Sequence, residues 1–341
     1  MRFPENMPEF VTVALPGCIC VVFGPTGVGK TVSALKTLKP PIFVINTEPR
    51  DLMRALIASE INFKLINPKH AVAAEGDLCY CDFTNWDSAR HFMTSFDFSN
   101  YCSILLDGGT ELSKHSANAV LDNKVNELTD EKRENISIMD ESTLDWPAYY
   151  RLANQMDRMI SPLTRWAQRG KFIVFNVLLA DEKNEWKQSF EGKPMFVGGK
   201  FGKELPGKVD LIGMATRRYK KILELDDDGN PKLDENNKPK VKLDENNKPK
   251  TKLVYPPWIQ FEPRDGQKFE CKWTGKKIVF PNNKNLPEDE RVMEGPLDFG
   301  YWFEFKKYNP ETNEWIYQEG YEKYKPVPKK ESKETITRKG E

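Results

Sequence analysis

The chain has 341 residues, with 51 Lys and Arg balanced by 51 Asp and Glu, and 39% of its residues are apolar. That length accommodates one large domain or two modest ones, and the zero formal charge excludes a global positive field drawing the protein onto nucleic acid. No apolar run approaches the roughly 18 residues of a membrane span, and the opening MRFPENMPEF lacks a secretory pattern, so a cytoplasmic protein with no membrane partner is expected.

The first strong element is CICVVF, Cys18 to Phe23, a continuous apolar run of the kind buried on both faces of a parallel sheet. A glycine loop follows, then TVSALKTL as a short helix stopped by Pro40 and Pro41. PIFVIN gives a second strand, DLMRALIASE a helix, DLCYCDF a third strand, SARHFMTSF a helix and YCSILLD a fourth strand. Helical patterns cover Thr110 to Leu128 and Trp146 to Ala167, the latter open to division at Ser161-Pro162, which suits an N-cap and a first helical position. KFIVFNVLL is a fifth strand. Alternation of strands and helices predicts an α/β fold, a doubly wound and mostly parallel sheet.

Beyond Ala180 the composition changes. Residues 232–240 and 242–250 are identical, KLDENNKPK twice, and turn formers between Lys and apolar residues predict an extended hairpin with a duplicated tip. The expected organisation is a phosphate-loop core over 1–222, the hairpin insertion over 223–253, a β-rich C-terminal extension over 254–321 and a disordered tail over 322–341. Six Cys and three His occur, none at zinc-site spacing, so reduced free thiols are expected.

Chemistry concentrates in Gly24-Pro25-Thr26-Gly27-Val28-Gly29-Lys30-Thr31, a full match to G-x-x-x-x-G-K-[ST] placed between a strand and a helix. Glycines let backbone N–H groups turn onto phosphate oxygens at the positive end of the helix. Lys30 then reaches the β- and γ-phosphates of ATP, and the Thr31 hydroxyl ligates Mg²⁺. A second acid for the metal belongs at the end of a neighbouring apolar strand, where Asp107 closes Ser103-Ile104-Leu105-Leu106. Glu48, just after the second strand, is the candidate for activating water; its alternative is a carboxylate in the first turn of the following helix. Asn176 in the fifth strand is either a γ-phosphate sensor or a hydrogen-bonded core amide.

The set GPTGVGKT, FVINTEPR, SILLDGGTEL and FIVFNVLL, with PMFVGGKFGKELPGKVDLIGMA, resembles the RecA-fold phage nucleotide-binding ATPases, compact relatives of RecA and RadA. The resemblance runs from about Cys18 to Arg218. It implies ATP hydrolysis with Lys30 and Thr31 at the nucleotide and magnesium, Asp107 as the Walker B acid, and Glu48 as the catalytic glutamate of an Asp-Thr-Glu motif that here reads Asn46-Thr47-Glu48. It further implies homo-oligomers and single-stranded DNA as the partner, in recombination, annealing or replication, and the host cytoplasm as the location. Lysines and aromatics between 181 and 208 suit backbone tracking and base stacking, or else a loop packed on the core; Phe269 to Lys277 forms a second basic and aromatic stretch, or a solvated strand face. The competing readings are a helicase loader or other assembly ATPase acting on a protein partner, and a nucleotide-stabilised structural protein with negligible turnover.

Overall fold

The computed structural model describes residues 17–50, 52–59, 64–66, 73, 77–126, 146–184, 189–197, 200–224, 226, 231–234, 239–245, 248–263, 267–269, 271–272, 293–303, 306–309 and 314–317. The strands are β1 (Cys18–Gly24), β2 (Ile42–Asn46), β3 (Lys64–Leu65), β4 (Asp77–Asp82), β5 (Ser103–Asp107), β6 (Phe172–Asn184), β7 (Ser189–Pro194), β8 (Leu211–Lys221), β9 (Thr251–Gln260), β10 (Gln267–Phe269), β11 (Glu294–Pro296), β12 (Lys306–Asn309) and β13 (Glu314–Tyr317). The helices are α1 (Lys30–Thr37), α2 (Met53–Ser59), α3 (Trp86–Ser95), α4 (Gly109–Asn126), α5 (Trp146–Gln168), α6 (Lys200–Glu204) and α7 (Phe299–Trp302).

Among the described residues, the main sheet runs β11-β9-β8-β1-β6-β5-β2-β4-β3. From β8 to β3 every pairing is parallel, whereas β9 and β11 add antiparallel strands at the other edge. The α/β fold with a mostly parallel sheet is therefore as the sequence predicts. Strand burial explains the continuous apolar runs: β1, β2 and β5 are covered on both faces, so their side chains need not alternate. Val21, Phe43, Ile45, Ile104 and Leu106 face one core with residues of α3, α4 and α5. Cys20, Val22, Val44 and Leu105 face the other, beneath α1.

The sheet reverses its direction of winding around β1, whose chain continues through α1 to β2 on one side while β8 lies on the other. Ligands in open α/β sheets gather at such a switch point, beyond the carboxyl ends of the strands. Gly24, Asn46, Asp107 and Asn176 all lie at or near that edge.

Three features differ from, or refine, the predicted elements. α5 is one helix with Pro162 inside it, and the Ser161 hydroxyl donates back to Asp157 O at 2.9 Å instead of capping a new helix. The C-terminal residues Trp258, Ile259, Phe261, Met293, Leu297 and Phe299 share the core of β1 and α1, and Phe299 N donates to Thr37 Oγ1 at 2.9 Å. The duplicated units do not lengthen one hairpin. Past Lys221 and Thr251 the β8–β9 ladder branches, and each copy closes on itself, Leu233 bridging Pro239 and Leu243 bridging Pro249.

Each branch point is a closed ring of three backbone hydrogen bonds. Ile222 N donates to Lys250 O, Lys250 N to Lys242 O and Lys242 N to Ile222 O; Glu224, Lys240 and Lys232 form the second ring in the same way. A turn of adjacent residues closes faster and at less entropy than a long-range pairing, which is why identical units fold locally. The six cysteines are free thiols, as expected. The tail 322–341 lies outside the described residues.

Candidate nucleotide site

The loop between β1 and α1 carries the glycine geometry its motif requires. Gly27 has φ 71° and Gly29 φ 100°, left-handed conformations that turn successive N–H groups inward and that a side chain would strain. Gly24 is fixed by packing: a Cβ there would stand 2.5 Å from Ala215 O on β8. Pro25, Thr26 and Val28 complete the loop, with Val28 in the core beside α1. The loop lines a cleft of about 590 Å³ that also receives Thr31, Glu48, Arg50, Arg54, Asp107, Glu111 and Asn176.

Lys30 is buried, and its ammonium donates to Gly24 O at 2.9 Å and Pro25 O at 3.1 Å. Burial lowers its pKa to about 8, opposed by the negative charges of Asp107 and Glu48. Thr31 Oγ1 lies 2.8 Å and 2.9 Å from the two oxygens of Asp107, and Asn176 Nδ2 donates to Asp107 Oδ1 at 2.8 Å. Burial raises the Asp107 pKa; the hydrogen bonds from Asn176 and Thr31 and the nearby Lys30 charge pull it down. The buried Asn176 Oδ1 has no protein partner among the described residues.

The donor set is hard oxygen, one hydroxyl and one carboxylate, and among the described residues no group of three His, Cys, Asp or Glu forms a protein cage for a metal. Magnesium needs no such cage, because it keeps waters and takes phosphate oxygens together with one or two protein ligands. Thr31 and Asp107 fit that ion.

Glu48 stands across the cleft. Helix α2 begins at Met53, so Glu48 is not in its first turn, and the helix-dipole alternative fails. Burial raises its pKa, and Asp107 and Glu111 raise it further, against Lys30 and Arg50. Glu111, in the first turn of α4, is paired with Lys114 at 2.8 Å.

Gly108 makes room for this carboxylate. Its φ is +97°, and a Cβ would stand 2.7 Å from Thr47 Oγ1, 2.8 Å from Glu48 N and 2.9 Å from Glu48 Cγ. Gly108→Ala is expected to lower ATP turnover about 10- to 100-fold by displacing Glu48. Steady-state kinetics beside a nucleotide titration checks this, with affinity expected to stay within about 3-fold of wild type.

Two residues beside the site carried no motif. Arg217 on β8 donates to Thr26 O at 3.1 Å, placing a cation beside the loop tip. Thr110 accepts from Leu178 N and donates to Met195 O, both at 2.9 Å, tying the start of α4 to the β6–β7 hairpin. Arg217 lies inside β8 and Thr110 in the first turn of α4, and neither residue type is distinctive.

The two basic and aromatic stretches fare differently. Phe201 is fully buried and Phe196 packs on it at 5.0 Å, so these rings serve the core. Lys208 pairs with Asp157 and Glu204. The Lys272 ammonium donates to Pro206 O and Val209 O, so it staples the chain beside β8. The side chains of Lys183, Trp186, Lys187, Phe190, Trp273, Lys276 and Lys277 lie outside the described residues.

A strand, a glycine loop with inward N–H groups, a lysine and a threonine–aspartate pair at a sheet switch point define a P-loop nucleoside triphosphatase fold. A family profile described as an AAA domain matches residues 17–251. The chain belongs to that AAA-domain family, and its core is an ATP-binding domain of it. No curated protein matches the chain. Among solved structures, it is similar to the flagellar accessory protein FlaH from Methanocaldococcus jannaschii at 9% identity and TM-score 0.30, over 60% of this chain and 73% of that one. It is also similar to the KaiC-like protein PH0186 from Pyrococcus horikoshii OT3, at 10% identity and TM-score 0.29 over the same shares. Among the described residues, no helix is long and apolar enough to cross a membrane.

Proposed function

We propose that the protein hydrolyses ATP with magnesium at this cleft, with Glu48 as the general base. The observation that carries the reading is the placement of Glu48 in the same cleft as Lys30 and the Thr31–Asp107–Asn176 chain of hydrogen bonds. The loop N–H groups and Lys30 hold the phosphates and offset charge that builds on them during transfer. Thr31 and Asp107 would hold Mg²⁺, which when bound would supply positive charge that neutralises the phosphates. Asn176 keeps the Asp107 carboxylate turned to Thr31. Glu48 takes the proton of the attacking water, a role suited to a carboxylate whose pKa burial and neighbouring acids have raised.

For the partner, the resemblance to phage RecA-like ATPases supports single-stranded DNA, engaged by a homo-oligomer in recombination, annealing or replication. ATP turnover measured at low salt with and without single-stranded DNA tests this reading. Stimulation by DNA that is lost as salt rises is the expected result. Turnover indifferent to DNA, together with co-purification of a replication protein, would move the assignment to an assembly ATPase.

A further inference from the structure

The carboxyl edge of the sheet carries a row of side chains in an order that phosphate binding alone does not require. Register places Asp82 of β4, Asn46 of β2, Asp107 of β5 and Asn176 of β6 side by side. Acid and amide alternate. Each amide nitrogen reaches one carboxylate, Asn46 Nδ2 to Asp82 Oδ1 at 2.6 Å and Asn176 Nδ2 to Asp107 Oδ1 at 2.8 Å. Adjacent strands lie about 4.8 Å apart, so an acid at position 46 would stand between two others.

Asn46 also grips the turn that presents Glu48. It is 2% exposed, and its Oδ1 accepts from Glu48 N at 3.2 Å. Its Nδ2 faces Arg50 O at 3.3 Å and Glu48 O at 3.5 Å on the way to Asp82. Only an amide of this length offers both the acceptor and the donors. An aspartate would keep the acceptor for Glu48 N–H but would turn its second oxygen onto two carbonyls and a carboxylate.

We infer that Asn46, oriented by Asp82, is a positioning residue that fixes the Glu48 turn and so aims the Glu48 carboxylate into the cleft. The inference rests on Glu48 being the base, and its test separates the two claims. ATP turnover is measured on wild type, Asn46→Asp, Asp82→Ala, the exchange variant Asn46→Asp/Asp82→Asn, and Glu48→Gln, with thermal unfolding of each.

Asn46→Asp is expected to lower kcat about 10-fold or more with KM for ATP within about 3-fold, the signature of lost geometry and not of lost binding. The exchange variant is expected to recover part of the lost kcat, since the amide at 82 then donates to the acid at 46 and relieves the carboxylate repulsion, while the Glu48 and Arg50 carbonyls still face an oxygen. Asp82→Ala removes the acceptor without adding charge and is expected to lower kcat in the same direction, which keeps the test open if Asn46→Asp does not fold. Full turnover in Asn46→Asp and Asp82→Ala, with turnover abolished in Glu48→Gln, would overturn the positioning role and leave the base in place. Loss in Asn46→Asp without recovery in the exchange variant would overturn the pairing with Asp82. Full turnover in Glu48→Gln would overturn the base itself.

Discussion

Glu48→Gln is expected to bind ATP as wild type does and to hydrolyse it about 100-fold more slowly or less, the usual contribution of a positioned general base. Glutamine keeps the size and the hydrogen-bonding reach of glutamate but cannot accept the proton from water. The groups that hold the phosphates, Lys30 and the loop glycines, belong to other elements and are left in place. The pH profile supplies an independent sign. A base acts deprotonated, so turnover is present above its pKa and is lost as pH falls through it. Burial, Asp107 and Glu111 raise the Glu48 pKa above the ordinary 4.5, so the acid limb of wild-type kcat is expected above that value. The residual rate of Glu48→Gln is expected to lack that limb. Measuring kcat across pH on both proteins checks both statements.

Asp107→Asn is expected to separate activity from stability. The wild-type carboxylate is buried, and its raised pKa means that the folded protein disfavours its charge. The sign follows: an acid with a raised folded pKa makes the fold more stable as pH falls, so a neutral isostere removes a destabilising charge at neutral pH. The apo variant is therefore expected to melt no lower than wild type. Turnover in magnesium is expected to fall about 100-fold or more, because the carboxylate partner of Thr31 at the metal is gone. Thermal unfolding without ligand, followed by phosphate release at rising magnesium, measures the two effects. A function-bearing residue that lowers stability is the expected trade at such a site.

The phosphate loop was legible in full because its chemistry is local: eight adjacent residues and the strand and helix that flank them state the whole requirement. Strands β1, β2, β5 and β6 were legible for a different reason, their burial on both faces, which leaves continuous apolar runs. Asp107, Glu48 and Asn176 could be proposed from position alone, as residues at or just past such strands. What brought them together was the strand order, in which β6 lies between β1 and β5, and no local pattern encodes that order.

The contacts of Asn46 show the same limit more sharply. In the sequence it is a departure from Asp in an Asp-Thr-Glu pattern, and its partner Asp82 is thirty-six residues away. Only the parallel register of β2 and β4 makes the pair. The aromatics Phe196 and Phe201 are a case in which the sequence left two readings open. Composition makes them eligible for base stacking, while packing against the core decides their use. Likewise, the duplicated KLDENNKPK announced turns, but whether two turns lie end to end or branch depends on backbone partners that composition does not distinguish.

The most direct test of the central claim is phosphate release from ATP by the purified wild-type chain, with magnesium and with the ion chelated. Release is expected to require magnesium and to be accompanied by ATP binding that is lost in Lys30→Ala. ATP binding at the loop without phosphate release, at any magnesium or protein concentration and with or without single-stranded DNA, would contradict that claim and leave a nucleotide-stabilised protein without turnover.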